Sequence, residues 1–230
     1  MIEAVVFDLD GVLLDTEELW DEARREIAEE RGGRWREDAQ RAMMGMSSPE
    51  WSRYMHDVIG VPDPPERISE EVVERLAELY QRQLPLVDGA IEAARRIGAR
   101  WPLGIASSSN RPLIDLFLDL TRTRDLFQAT VSSEEVAHGK PAPDVYLEAT
   151  ARLGVSADRC AAIEDSENGI RSAGTAEMCV IAIPNHVFPP SAEALELADL
   201  VLASLDELTP DAIEEASAAR RPAGPGSAPA

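Results

Sequence analysis

Residues 4–12 of the chain read AVVFDLDGV, an apolar run that ends in two aspartates and a glycine. A short apolar run closed by polar residues is typical of a strand that is buried on both faces of a parallel sheet. The carboxyl end of such a strand opens into a loop, where a glycine permits a tight turn. Residues 4–7 are therefore predicted to form a central strand, with Asp8 and Asp10 just beyond it.

Four later apolar runs resemble the first and alternate with helical patterns along the chain. The runs are residues 103–106, 129–131, 160–163 and 179–183. The helical patterns include residues 112–120, 143–153 and 166–173. Strands that alternate with helices predict βαβ units, and therefore a doubly wound, Rossmann-like α/β core around a parallel sheet.

A long segment after the first strand breaks this alternation. Its apolar residues recur at helical spacing, and no run in it indicates a strand. Helices are predicted over residues 17–31, 48–58 and 69–83. We therefore expect an all-helical module of residues 16–85, inserted between the first strand and the rest of the sheet.

The domain limits follow from this pattern. The α/β core domain is predicted to comprise residues 1–15 and 86–215, on either side of the helical module. Residues 216–230 are rich in Ala, Pro, Gly and Ser, a composition that predicts a disordered tail.

The composition excludes some classes of partner. The formal net charge is −21 over 230 residues, so nucleic acid and anionic membrane are not expected to bind. No apolar run approaches the about 18 residues that a membrane span needs, and no signal peptide is indicated, so we expect a cytoplasmic protein. Cys160 and Cys179 are expected to be buried, reduced thiols.

The two aspartates after the first strand are the strongest chemical signal. Side chains two residues apart on an extended backbone point to the same side, which brings Asp8 and Asp10 together. Two carboxylates that share a small space repel each other, so the arrangement requires a cation or a shared proton. A solvated acidic loop is the alternative interpretation of this pair on its own.

Two further segments add phosphate-binding groups where ligands bind in a parallel sheet, at the carboxyl ends of strands. Ser107 and Ser108 follow the run 103–106, and hydroxyls at a helix start suit phosphate oxygens. Lys140 is the only lysine among 22 basic residues, and its ammonium is a point charge suited to a phosphoryl oxygen. Helix capping by serine and a surface lysine are the alternatives.

A fourth segment offers metal ligands. Glu164 and Asp165 end the run 160–163, and adjacent carboxylates at a strand end suit a hard divalent cation. Capping of the next helix by Asp165 or Ser166 is the alternative. The four segments together place carboxylates, a hydroxyl and the lone lysine at four strand ends of one sheet, which favours a catalytic site.

In their order along the chain, the four segments resemble the four motifs of the haloacid dehalogenase (HAD) superfamily. The segments are residues 7–12 (FDLDGV), 106–108 (ASS), 139–144 (GKPAPD) and 163–166 (IEDS). The helical module resembles the type-1 cap of that superfamily. The resemblance covers about residues 1–210, and it is greatest to the branch of sugar phosphatases and beta-phosphoglucomutases.

The resemblance implies a magnesium-dependent phosphatase that hydrolyses a small phosphate monoester, a sugar or polyol phosphate, and acts as a monomer. Asp8 would be the nucleophile that forms an aspartyl-phosphate. Asp10 would protonate the leaving alkoxide and then activate water. Ser107, Ser108 and Lys140 would hold phosphoryl oxygens. The identity of the phosphorylated substrate is left open.

The resemblance also implies a set of Mg²⁺ ligands. The side chains of Asp8 and Asp165 and the backbone carbonyl of Asp10 would hold the ion, with Glu164 in or near that shell. Trp20, on the first cap helix, would meet the organic part of the substrate. Packing inside the cap is the alternative for this tryptophan.

Two other functions remain as alternatives. A phosphosugar mutase of the same branch carries a cap histidine where Trp20 stands, and cap cations where Met44 and Ser48 fall, because it must hold a second phosphate. The loop of residues 44–48, MGMSS, offers no positive charge, which favours hydrolysis, although Arg53 on the following helix is an open candidate. A catalytically inactive binding protein is disfavoured because all four motifs are intact. No role is assigned to the histidines His56, His138 and His186.

Overall fold

Residues 1–44 and 46–220 are described by a computed structural model, in which a six-stranded sheet is surrounded by helices. The strands are β1 (Ala4–Phe7), β2 (Leu103–Ser107), β3 (Phe127–Ser132), β4 (Cys160–Glu164), β5 (Cys179–Ala182) and β6 (Leu200–Val201). The helices are α1 (Glu17–Glu30), α2 (Ala39–Met43), α3 (Ser48–Tyr54), α4 (Pro65–Arg82), α5 (Ala90–Gly98), α6 (Arg111–Thr121), α7 (Asp144–Leu153), α8 (Glu167–Thr175), α9 (Ala192–Leu195) and α10 (Pro210–Ala219).

All strand pairs are parallel, and the order across the sheet is β3-β2-β1-β4-β5-β6. Strand β1 lies in the middle, with Phe7 in register with Ile105 of β2 and Ile163 of β4. Because the strands are parallel, the carboxyl ends of β1, β2 and β4 meet at one edge. The predicted α/β fold with a parallel sheet and an inserted helical module is confirmed.

The sheet is buried on both faces. Alternate residues of β1 belong to different apolar clusters, with Val5 and Phe7 in one and Ala4 and Val6 in the other. This burial explains the continuous apolar run that predicted the strand.

Both cysteines are buried in the sheet and form no disulfide, as predicted. They are Cys160 on β4 and Cys179 on β5. No helix in the described ranges is long and apolar enough to cross a bilayer.

Strand β6 escaped prediction because it has only two residues, of which Val201 is exposed. Two residues give no pattern that distinguishes a strand from a loop. It nevertheless pairs in register with β5 through Leu200 and Ile181.

The helical module contains the three predicted helices, with shifted limits. Helix α4 begins at Pro65 rather than at residue 69, since proline is favoured in the first turn, where its missing N–H is not needed. The predicted helix over residues 48–58 is α3 followed by a π-helical turn, Met55–Ile59, which ends at Gly60 in the left-handed conformation.

The two linkers between the sheet and the helical module run side by side. The N–H of Asp15 donates to the carbonyl of Pro85 at 2.7 Å, and the N–H of Val87 donates to the carbonyl of Leu13 at 3.2 Å. The predicted domain limits fall in this paired segment.

The predicted disordered tail is wrong for residues 216–219, because α10 extends to Ala219 and buries Ala216. Thr209 caps this helix by accepting a hydrogen bond from the N–H of Ala212 at 3.1 Å. Alanine has the highest helix propensity, so an alanine-rich composition does not by itself indicate disorder. Residues 221–230 lie outside the described part of the chain.

Candidate active site

Asp8 lies at the carboxyl end of the central strand. Its N–H donates to the carbonyl of Ile163 at 2.9 Å, which continues the pairing of β1 with β4. Its carboxylate oxygen Oδ1 accepts a hydrogen bond from Lys140 Nζ at 2.7 Å. Both side chains are buried, so the predicted nucleophile and the lone lysine form an ion pair away from water.

Glu164 completes the environment of the lysine. Its Oε1 accepts from Lys140 Nζ at 2.6 Å and from the hydroxyl of Tyr146 at 2.7 Å. Its Oε2 accepts from the N–H of Asp165 at 3.1 Å and from the N–H and hydroxyl of Ser166. Both oxygens of Glu164 are therefore already satisfied by the protein.

Gly169 leaves the space that this carboxylate occupies. A Cβ placed on Gly169 would lie 1.8 Å from Oε1 of Glu164.

The two carboxylates determine the charge of Lys140. Burial lowers the pKa of Lys140, but the carboxylates of Asp8 and Glu164 more than offset this effect and raise the pKa above its usual value. The lysine is therefore charged at all physiological pH values.

Asp165 is different from its neighbour. It is only 1% exposed, and neither of its carboxylate oxygens has a hydrogen-bond partner among residues 1–44 and 46–220. Burial, and then the charges of Glu164 and Asp8, raise its pKa well above the usual range. An unpaired buried carboxylate is costly unless a cation or a proton balances it.

The residues present fit a divalent cation. Carboxylate oxygens of Asp8, Glu164 and Asp165 lie within 4.8 Å of one another, and oxygen is the ligand that Mg²⁺ prefers. Burial raises the pKa of Asp8 to about 8, with Lys140 opposing this effect and Glu164 and Asp10 adding to it. A bound cation would stabilise the ionised forms of these carboxylates and supply the missing partner of Asp165.

Gly11 packs directly against this cluster. Its φ of +86° lies in the left-handed region that favours glycine. A Cβ at this position would lie 1.9 Å from Oδ2 of Asp165. The glycine of the first motif is thus required both by the backbone conformation and by the space that the Asp165 carboxylate fills.

Asp10 is held by hydroxyl and indole donors from two parts of the molecule. Its Oδ1 accepts from Thr16 Oγ1 at 2.5 Å and from Trp20 Nε1 at 3.2 Å. Its Oδ2 accepts from Ser109 Oγ at 2.6 Å. The sequence reasoning missed Ser109 as a site residue. A third hydroxyl in the run SSS (residues 107–109) was its only signal.

Ser107 is the last residue of β2 and is fully buried. Its hydroxyl lies 3.4 Å from Oδ2 of Asp10, to which it donates, and it accepts from the N–H of Ser109 at 2.9 Å. Ser108 is half-buried and lines a cavity of about 50 Å³ together with Asp10 and Trp20. The structure thus brings the predicted site residues of the α/β core to one edge of the sheet, and Trp20 contacts Asp10 there from α1.

Trp20 is largely buried. Its ring packs edge-on against Trp51 with the centroids 5.9 Å apart. It therefore takes part in packing within the helical module and also lines the cavity next to Asp10.

Comparison with known proteins agrees with these motifs. A family model described as haloacid dehalogenase-like hydrolase matches residues 2–177. Hexitol phosphatase B of Escherichia coli (strain K12) is 35% identical over 217 residues, which are 90% of this chain and 95% of that protein.

Two solved structures share the fold. CbbY from Rhodobacter sphaeroides in complex with phosphate superposes with a TM-score of 0.83 at 29% identity, covering 93% of this chain and 100% of that one. Beta-phosphoglucomutase from Clostridium difficile gives a TM-score of 0.82 at 24% identity, covering 95% of this chain and 98% of that one. The family match, the phosphatase relative and the shared fold confirm the family that the four motifs predicted, and the chain belongs to the haloacid dehalogenase-like hydrolases.

Proposed function

We propose that the chain is a Mg²⁺-dependent phosphatase that hydrolyses a sugar or polyol phosphate through an aspartyl-phosphate on Asp8. The observation that carries this proposal is the buried cluster in which Lys140 contacts Asp8 beside the unpaired carboxylate of Asp165. The name of the E. coli relative, hexitol phosphatase B, supports the substrate class.

In the first step, the carboxylate of Asp8 attacks the phosphorus atom and the bond from phosphorus to the ester oxygen breaks. The leaving alkoxide takes a proton from Asp10. In the second step, Asp10 takes a proton from water as that water attacks the phospho-aspartate, which releases inorganic phosphate and restores Asp8. The donors on Asp10, from Thr16 and Ser109, fix the position of this acid–base group.

Lys140 balances negative charge during both steps. Its ammonium contacts Asp8 directly and stays protonated because two carboxylates raise its pKa. When bound, Mg²⁺ supplies further positive charge to the phosphoryl oxygens. These local charges let an acidic protein bind an anionic substrate.

We assign the ion to the side chains of Asp8 and Asp165 and to the carbonyl of Asp10. Glu164 is placed outside the ligand set, in contrast to the sequence-based expectation, because its oxygens already accept hydrogen bonds from Lys140, Tyr146 and backbone N–H groups. In this proposal Glu164 positions the lysine.

Hydrolysis is favoured over transfer to a second sugar position. Arg53, the cation that the sequence left open for a second phosphate, lines a different cavity, next to Pro65 and Asn110. The cavity that contains Asp10 is lined by Met44, which stands where the resemblance places a cap cation of the mutases. Arg24 is the cation among its described lining residues, and the acidic side chains of Glu17 and Asp10 in the same cavity oppose binding of a second phosphate there. Incubation with a hexose 1-phosphate separates the two activities, because a mutase yields an isomer and a phosphatase yields free phosphate.

The central test is phosphate release from p-nitrophenyl phosphate and a panel of sugar and polyol phosphates, with and without Mg²⁺. We expect Mg²⁺-dependent turnover that Asp8→Asn abolishes. Asp125→Asn, a change at an exposed carboxylate, serves as the matched control and keeps wild-type turnover. Phosphate release by Asp8→Asn at the wild-type rate contradicts the proposal.

The metal site is tested without activity. We expect MgCl₂ to raise the melting temperature of the wild type by about 5–10 °C at a hundred times its Kd. Asp165→Asn is expected to lose this shift, yet to melt no lower than the wild type in EDTA, because it removes an unpaired buried carboxylate. An unchanged Mg²⁺ shift in Asp165→Asn contradicts the ligand assignment.

Four further expectations stay predictions. They are the contact of Trp20 with the organic part of the substrate, the cytoplasmic location, the monomeric state, and the absence of nucleic-acid and membrane partners.

A further inference from the structure

A buried arginine in the helical module has no part in the mechanism above. Arg24 lies on α1 and is 5% exposed. Its guanidinium carbon lies 4.5 Å from the ring centroid of Trp20 and 4.8 Å from that of Trp51. Stacking of this kind stabilises a cation through the negative faces of both indoles and fixes its orientation.

The polar contacts of this arginine are incomplete. Nη1 donates to Oε1 of Gln40 at 3.1 Å, whereas the buried Nε has no acceptor in the described part of the chain. Burial lowers the pKa of Arg24 to about 10, against the effect of Glu17 and other carboxylates, so it stays charged near neutral pH. An unpaired buried N–H is costly, which makes it a candidate for binding a ligand.

Gln40 connects the arginine to an acidic group. Its amide nitrogen donates to Oε2 of Glu17 at 3.0 Å, while its amide oxygen accepts from Arg24. Both charged side chains line the cavity of about 50 Å³ that also contains Asp10 and Ser108. A hydrogen-bond donor and an acceptor are thus held next to the group that protonates the leaving alkoxide.

The size and charge of this cavity limit what the pair can bind. About 50 Å³ holds one or two water molecules, so the space beside the pair suits a hydroxyl group better than a bulky substituent. An anionic alcohol would lie beside the acidic side chains of Glu17 and Asp10, with Arg24 as the cation among the described lining residues. An apolar alcohol would offer the Nε of Arg24 no acceptor, whereas a hydroxyl would supply one, and this difference favours the alcohol that carries hydroxyls.

We propose that Arg24 and Glu17 bind hydroxyl groups of the leaving alcohol and so select polyol phosphates over esters with an apolar or an anionic alcohol. A hydroxyl suits both partners, because it accepts a hydrogen bond from a guanidinium and donates one to a carboxylate. This inference rests on the proposed phosphatase function and identifies which residues of the site choose the substrate.

The test compares kcat/KM for sorbitol 6-phosphate, p-nitrophenyl phosphate and phosphoglycolate. We expect Arg24→Gln to lower the value for sorbitol 6-phosphate by about tenfold or more relative to that for p-nitrophenyl phosphate, mainly through KM. Glu17→Gln is expected to reduce the same ratio. Arg25→Gln is the matched control, since Arg25 is the next residue of α1 and its side chain is 46% exposed.

Equal losses on all three substrates in a folded Arg24→Gln protein overturn the inference, as does a larger loss on phosphoglycolate. Arg24→Lys, which keeps the charge without the planar fork, is the second variant and is expected to give an intermediate ratio. A wild type that hydrolyses none of the three contradicts the proposed function instead.

Binding then decides the inference without turnover. Calorimetry with sorbitol 6-phosphate is carried out in the Asp8→Asn background. A Kd raised about tenfold by Arg24→Gln supports the inference, and an unchanged Kd overturns it.

Discussion

Gly11 determines where the carboxylate of Asp165 can lie, because a Cβ on Gly11 would lie 1.9 Å from Oδ2. Gly11→Ala is therefore expected to displace Asp165 and to lower both Mg²⁺ affinity and turnover. Because residue 11 has a φ of +86°, an alanine there also costs about 1 kcal/mol in backbone strain relative to glycine. Melting temperature, the Mg²⁺ shift and phosphate release are the measurements.

Gly154→Ala separates the two effects of this change. Gly154 has a φ of +71°, and a Cβ there would meet no described atom within 4 Å. We expect a similar drop in melting temperature with normal turnover. If Gly11→Ala also kept normal turnover, the steric role of this glycine would be refuted.

Glu17 gives a pH-dependent prediction. Burial, and then the charge of Asp10, raise its pKa from 4.5 to about 7. The stability that Glu17 contributes is present below its unfolded-state pKa and is lost as the pH rises through the folded-state value. Glu17→Gln is therefore expected to raise the melting temperature relative to the wild type more at about pH 8 than at about pH 5, measured in EDTA. An equal difference at the two pH values would count against it.

The functional residues differ in how far the sequence predicts them. Asp8 and Asp165 directly follow apolar runs, so their convergence follows from parallel strands alone. Lys140 lies in the loop between β3 and α7, so its contact with Asp8 depends on the path of that loop. The sequence could not tell which of Glu164 and Asp165 keeps its oxygens free, because that depends on Lys140 and Tyr146 from other segments. Arg24 escaped notice among the many charged residues of α1, since its burial depends on contacts with Trp51 and Gln40 from other helices.

Helix α8 begins beside the site. Ser166 caps it by accepting from the N–H of Gly169 at 3.1 Å, and its hydroxyl donates to Glu164 Oε2 at 3.1 Å. Ser166→Ala is expected to lower stability by about 1 kcal/mol through the lost cap and to reduce kcat by loosening Glu164 and Lys140. Thermal unfolding and phosphate release measure the two effects.

Thr209→Ala is the control variant. Thr209 caps α10 by accepting from the N–H of Ala212, and this hydrogen bond involves neither Glu164 nor Lys140. A comparable loss of stability with unchanged kcat is expected. Unchanged kcat in Ser166→Ala would show that its cap has no effect on catalysis.

Helices were easier to predict than their limits. The helical spacing of apolar residues predicted α1 and α4 because each buries one face. The start of α4 at Pro65 and the end of α10 at Ala219 were not predicted. Residues of the same composition occur both in the terminal turns of helices and in loops, so the sequence does not fix these limits. The two residues of β6 become a strand only because β5 offers them an edge.

At the scale of the molecule, the net charge of −21 opposes the approach of an anionic substrate. With Mg²⁺ saturating, we expect the KM for a phosphate monoester to fall by roughly twofold or more as NaCl is raised from about 20 to about 200 mM, because salt screens long-range repulsion. Steady-state kinetics measure it. A KM that rises with salt would mean that local attraction dominates the encounter.

The position of the helical module relative to the sheet could not be predicted from the sequence. One contact that fixes it joins the side-chain amide of Asn168 on α8 to the carbonyl of Met44 at 3.1 Å. Contacts between segments so far apart in the chain depend on the shapes of both surfaces, whereas the order of strands and helices follows from periodicity.

The paired linkers carry a broader consequence. Hydrogen bonds between Leu13 and Val87 and between Asp15 and Pro85 hold the two linkers side by side. The chain therefore enters and leaves the helical module at neighbouring positions. Replacement of this module by another folded unit would require only that the new unit's termini lie side by side. A common hydrolytic centre could in this way acquire new substrate preferences by exchange of one insertion, with the sheet left unaltered.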